Sequence, residues 1–129
     1  MAEPCDRAAS VLLVEDDPAL AGLISLVLNR AGYVVEVATC RGAVEAASRS
    51  RPVVVIIDLQ MKRAGELCLT LRTRTATSRT PILALVAPLP GPMEQGIRQH
   101  VDACLPKPFE LRRLIDTVHR LAAGPDPGS

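Results

Sequence analysis

Residues 53–61 read VVVIIDLQM: five β-branched residues, Val53 to Ile57, run straight into Asp58. An unbroken apolar run of this length, all Val and Ile, reads as a strand buried on both faces. A carboxylate is seldom fully buried unless paired, so Asp58 belongs at the strand's end. Two further runs have the same form. Val11–Val14 leads into Glu15, Asp16 and Asp17, and Ala103–Leu105 leads through Pro106 into Lys107-Pro108. If these strands are parallel neighbours, three carboxylates and one ammonium meet at one edge of a sheet.

The segments between the runs read mostly as helices. Pro18 suits the first turn of a helix, with Asp17 as its N-cap. Leu20, Leu23, Ile24, Val27, Leu28 and Ala31 then fall on one apolar stripe, and Gly32 is placed to end it. Tyr33–Val37 reads as a short second strand. A weaker helix follows over Arg41–Arg49, with Ala43, Val44 and Ala47 facing inward. Beyond the Val53–Asp58 strand, a third helix covers Glu66–Thr73, with Leu67, Cys68 and Leu71 as its inner residues. Pro81–Val86 reads as strand four.

Pro88, Pro90, Gly91 and Pro92 then predict a stiff, non-helical loop. Met93, Ile97 and Val101 suggest a short fourth helix. Ala103–Leu105 is strand five, and Leu111, Leu114, Ile115, Val118 and Leu121 stripe a last helix that Gly124 stops. Residues 1–10 read as a flexible leader, 11–123 as one domain, and 124–129 as a flexible tail or linker. Strands alternating with helices predict an α/β fold, a doubly wound five-stranded parallel sheet with five helices. Five such units suit the flavodoxin-like order 2-1-3-4-5. Strands one and three are then neighbours where the winding reverses, and ligands bind beyond the carboxyl ends of the strands there.

Composition narrows the class. A chain of 129 residues is one domain by size, and 48% hydrophobic residues fit a globular core. One Tyr, one Phe and no Trp leave that core to Val, Leu, Ile and Ala. A net charge of +1 offers no field for nucleic acid or an acidic membrane surface. Cys5, Cys40, Cys68 and Cys104 lack paired metal-ligand spacing and read as reduced thiols. No run reaches the length of a membrane span and no secretory signal is visible, so the cytoplasm is the expected compartment.

Four blocks in order, LLVEDDPAL, VVVIIDLQM, TPILALVA and LPKPFEL, resemble the receiver domain of two-component response regulators over about residues 10–122. The resemblance implies that Asp58 accepts a phosphoryl group from a phosphohistidine on a histidine kinase or phosphotransfer protein. It implies Mg²⁺ held by Glu15, Asp16, Asp58 and the backbone carbonyl of Gln60. Lys107 matches the lysine that pairs with the phosphoryl oxygens, and the Lys107–Pro108 bond is cis in the family. A downstream protein target is implied, with no direct nucleic-acid contact, no membrane, and a monomer or weak homodimer. Charge arithmetic agrees: unit charges about 4 Å apart interact by roughly 4 kcal/mol at an effective dielectric near 20. Three carboxylates in one pocket therefore need a cation. Glu15-Asp16-Asp17 as a solvated turn plus cap is the plainer alternative, and Asp17 alone reads as a cap rather than a ligand.

The chain departs from the family at its readout positions. Val86 stands where strand four ends in Thr or Ser, and Cys104 stands at the position of the aromatic that moves with that hydroxyl. Lys62 replaces a loop proline, and Gly65-Glu66 replaces Asp-Gly. Gln60 and Pro88 sit where the family tunes attacking water. Two functions remain: a phosphorylatable receiver with an atypical switch, and a degenerate receiver acting as a phosphorylation-independent interaction module. A haloacid-dehalogenase-type phosphatase needs an Asp at position 60, which is Gln. A nucleotide-binding flavodoxin-like protein needs a phosphate cradle where Glu15-Asp16-Asp17 has the wrong sign.

Overall fold

The computed structural model describes residues 9–88 and 91–124. In chain order the elements are β1 (Ala9–Val14), α1 (Pro18–Arg30), β2 (Tyr33–Ala38), α2 (Cys40–Ser50), β3 (Val54–Asp58), α3 (Ala64–Thr73), β4 (Ile82–Val86), α4 (Pro92–Ile97), β5 (Ala103–Pro106) and α5 (Leu111–Ala123). A short 3-10 turn, Arg98–His100, joins α4 to the segment before β5. The strands form one parallel sheet in the order β2-β1-β3-β4-β5, as the alternation predicts. Val14 pairs with Ile57, and Val86 with Pro106.

Side chains alternate across each strand, so the sheet serves two cores. Val11, Leu13, Val54, Ile56, Leu83 and Leu85 pack with Ile24 and Leu28 of α1 and with Leu114 and Val118 of α5. Leu12, Val14, Val55, Ile57, Ile82 and Ala84 pack with α2 and α3. Each fully buried Leu or Ile stabilises the fold by roughly 1.5–3 kcal/mol relative to exposure. Helix starts are fixed locally. Asp17 caps α1, its Oδ1 accepting from the Ala19 amide at 3.0 Å, with Pro18 in the first turn. Thr39 caps α2 through Gly42 N–H at 3.2 Å.

Several expectations shift. β1 begins at Ala9, two residues inside the expected leader; residues 1–8 and 125–129 lie outside the described residues. Leu23 of the α1 stripe is 43% exposed, while the smaller Ala21 is buried, because 21, 24 and 28 face the sheet directly. Pro92 opens α4 rather than belonging to a non-helical loop, since a first-turn proline loses no helical hydrogen bond. Residues 89–90 of that loop lie outside the described residues. Val101 is extended, beyond the helix. At the seam between α3 and α4 a Cβ on Gly65 would lie 2.6 Å from Ile97 Cδ1, so glycine permits the close approach.

Two long-range contacts lock the periphery. At the amino end of the sheet Tyr33 meets His119 of α5, with O–H and Nδ1 2.5 Å apart and ring centroids 5.4 Å apart. Arg72, in the last turn of α3, donates to the carbonyls of His100 at 2.9 Å, Thr80 at 2.8 Å and Ser78 at 3.2 Å. It also pairs with Asp102, whose carboxylate accepts from Ile82 N–H at 2.7 Å. One guanidinium thus ties α3 to the starts of β4 and β5. Arg72→Met removes every one of these donors. It is expected to lower stability by about 2–3 kcal/mol, seen as a lower urea midpoint at unchanged slope. The exposed Arg74→Met should stay within about 0.5 kcal/mol.

Candidate functional site

The register that pairs Val14 with Ile57 sets the next residues, Glu15 and Asp58, level at the carboxyl edge of the sheet. Both are buried, Glu15 5% and Asp58 4% exposed. Lys107 follows β5, where its amide donates to the Val86 carbonyl at 2.9 Å. Its side chain reaches across the end of β4 to place Nζ 2.7 Å from Asp58 Oδ2. The same ammonium donates to Gln60 Oε1 at 3.1 Å. Gln60 also fixes the carboxylate from below, its backbone N–H donating to Asp58 Oδ1 at 2.9 Å. The Lys107–Pro108 peptide is cis, as the resemblance implies.

Glu15 is the strained partner. Oε2 accepts from the Asp17 amide at 3.2 Å, but Oε1 is buried without a hydrogen-bond partner. Burial above all, helped by neighbouring Asp58, raises its pKa from 4.5 to about 7 against the opposing pull of the Asp17 amide and Lys107. An unpaired buried carboxylate oxygen is costly, and a second acid beside it makes ionisation harder. A cation at this point relieves both penalties.

The fold therefore brings Glu15, Asp58, Gln60 and Lys107 together. Asp16 is exposed on the rim, and among the described residues no three His, Cys, Asp or Glu side chains are clustered to hold a metal ion. The pocket's counter-charge in this structure is the Lys107 ammonium. Asp17 is occupied as the α1 cap. Val86, at the end of β4, is an apolar side chain 2% exposed within the α2–α3 core, and Cys104 is half-buried against the same core. Cys40, Cys68 and Cys104 are free thiols; Cys40 donates to the Lys62 carbonyl at 3.6 Å. Burial raises the Cys68 thiol to about 11. The sequence points to Gln60 as a backbone ligand and as a residue near attacking water, but not to its side-chain bond with Lys107. An amide bonding a lysine 47 residues away leaves no local pattern.

A parallel sheet wound in this order, with two buried acids and a lysine at its switch point, defines a receiver-type α/β domain. The chain matches the family model of the response regulator receiver domain over residues 11–119 and belongs to that family. It is 36% identical to the response regulator protein FleR of Pseudomonas aeruginosa, over 95% of this chain and 26% of that protein. It is 34% identical to probable histidine kinase 2 of Oryza sativa subsp. indica, over 88% of this chain and 13% of that protein. The chain thus spans a minor part of either relative. Among solved structures, the receiver domain of a sensor histidine kinase from Pseudomonas aeruginosa PAO1 superposes with a TM-score of 0.83 at 25% identity. The match covers 92% of this chain and all of that one, and a magnesium ion is coordinated in that protein's active-site cleft. Among the described residues no helix is long and apolar enough to cross a membrane.

The raised pKa of Glu15 has a sign. Its folded value lies above its unfolded value, so its contribution to stability is full below about pH 4.5 and is lost as pH rises to about 7. With a chelator present, urea-measured stability is expected to fall across that window through this group. Glu15→Gln should flatten that fall; an identical pH profile in the variant would show that Glu15 is not held as described.

Proposed function

We propose that this chain is a phosphoacceptor receiver: Asp58 takes a phosphoryl group from a phosphohistidine on a histidine kinase or phosphotransfer protein and signals to a downstream protein. The observation that carries this reading is Lys107 Nζ at 2.7 Å from the buried Asp58 carboxylate, beside Glu15 with its unpartnered Oε1. In the transfer, an Asp58 carboxylate oxygen forms the new O–P bond while the donor's P–N bond breaks. The electron pair leaves with the imidazole nitrogen. Gln60 N–H holds the orientation of the nucleophile, and Lys107 neutralises charge gathering on the phosphoryl oxygens.

The donors present fit Mg²⁺. Glu15, Asp16, Asp58 and the Gln60 carbonyl are an all-oxygen set, and that ion binds few protein oxygens and leaves room for waters and phosphate. The unpartnered Oε1 of Glu15 supports this reading, since a bound cation would satisfy it. When bound, the ion neutralises phosphoryl charge. Asp16, exposed on the rim in this structure, would complete that set. The chain is consumed and regenerated at Asp58, so it is a self-assisting phosphoacceptor and not an enzyme on an external substrate. Free thiols and the kinase partner accord with the cytoplasm.

Val86 and Cys104 favour a second reading, an interaction module indifferent to phosphorylation. A hydrogen bond to a charged group is worth roughly 1.5–3 kcal/mol, so its loss cuts a phosphorylation-driven population shift about 10- to 100-fold. Incubation with phosphoramidate and Mg²⁺, read by intact mass, separates the two. The expected result is one added phosphoryl group on the wild-type chain, none on Asp58→Asn, and a rate lowered at least about tenfold in Lys107→Ala. An unmodified wild-type chain with several donors, and partner binding unchanged by Asp58→Asn, would instead establish the interaction module.

A further inference from the structure

We infer that the Gln60 side chain is a positioning residue that does the work of the hydroxyl missing at position 86. This inference rests on the phosphoacceptor reading above. Three observations meet in one place. The Lys107 ammonium is shared between Asp58 Oδ2 at 2.7 Å and Gln60 Oε1 at 3.1 Å. The Gln60 backbone is itself fixed on the same carboxylate, through its N–H to Asp58 Oδ1 at 2.9 Å. At the end of β4, Val86 has only an apolar side chain, buried in the α2–α3 core, and its carbonyl is taken by the Lys107 amide at 2.9 Å.

The chemistry of the amide follows from which end is held. A lysine ammonium only donates, so it selects the amide oxygen. The remaining polar atom of Gln60 is its NH₂ group, which donates to no protein group among the described residues. It is a neutral two-proton donor tethered, through the shared lysine, to the acceptor carboxylate. A phosphoryl group on Asp58 brings acceptor oxygens into reach of that donor. Gln60 thus keeps Lys107 over the nucleophile before transfer and supplies a hydrogen bond to the anion after it. Valine at position 86 is then tolerable because the donor has moved from β4 to the loop after β3.

Beryllofluoride with Mg²⁺, a mimic of the acyl phosphate, is the probe, with binding read from amide NMR shifts. Gln60→Met keeps the length of the side chain and removes both polar ends; Gln60 is exposed, so the fold is unaffected. Its beryllofluoride affinity is expected to fall about 10- to 100-fold. Val86→Thr should gain less than about threefold in the wild-type background and restore at least about tenfold in the Gln60→Met background. A mere structural role for Gln60 predicts no such rescue. Wild-type affinity in Gln60→Met, or the same gain from Val86→Thr in both backgrounds, would overturn the inference while leaving Asp58 as the acceptor. If the wild-type chain binds no beryllofluoride, or if Asp58→Ala binds it equally well, the phosphoacceptor reading falls and this inference with it.

Discussion

Covering a sheet on both faces leaves its ends as the only exits for charge. β1, β3 and β4 are buried along nearly their whole length, under α1 and α5 on one side and α2 and α3 on the other. Every fully buried side chain along their interiors is apolar, and the carboxylates wait for the strand ends. Because the strands are parallel, these last residues share one edge. Because the winding reverses between β1 and β3, no connection covers the gap above them. Glu15 and Asp58 are therefore neighbours by construction. Asp58 is tolerated in so dry a place because Lys107 arrives from β5 to pair with it, while burial raises the pKa of Glu15 beside it.

That constraint explains what could be read from the chain. VVVIID and VLLVEDD carry their burial and their exit in one short string, so strand, direction and acidic edge were legible together. Asp17 and Pro18 were legible as a helix start because capping is local chemistry. Legibility stopped where geometry depends on residues distant in sequence. The Leu23 stripe gave the helix but not which of its flanks turns outward, since that depends on the angle at which α1 lies on the sheet. Three prolines near position 90 looked like a loop because they break helices in the interior, yet Pro92 sits at a helix start. Neither the Arg72–Asp102 knot nor the Gln60–Lys107 bond has a local signature.

The site itself divides along the same line. Asp58, its lysine and the buried Glu15 stand at strand ends, where the fold compels them. Val86 and Cys104, at the two positions where the resemblance implies a readout, fill space and offer no strong polar handle. Around them the structure is tied down. Arg72 fastens α3 to the approaches of β4 and β5, and Gly65 lets α3 lie directly against Ile97 of α4. Movement in response to the pocket has to pass through contacts that are already close.

The contact between Tyr33 and His119 has a spectroscopic consequence. Tyr33 is the chain's one tyrosine, and there is no tryptophan. It pairs with Ala9 at the amino end of the sheet, the opposite edge from Asp58. Tyrosine absorbance and emission therefore come from the β2–α5 corner and follow its unfolding. The tyrosine signal does not originate at the acidic edge, where the neighbouring aromatic is the weakly absorbing Phe109. Equilibria at that edge become visible only through nuclei or labels placed there.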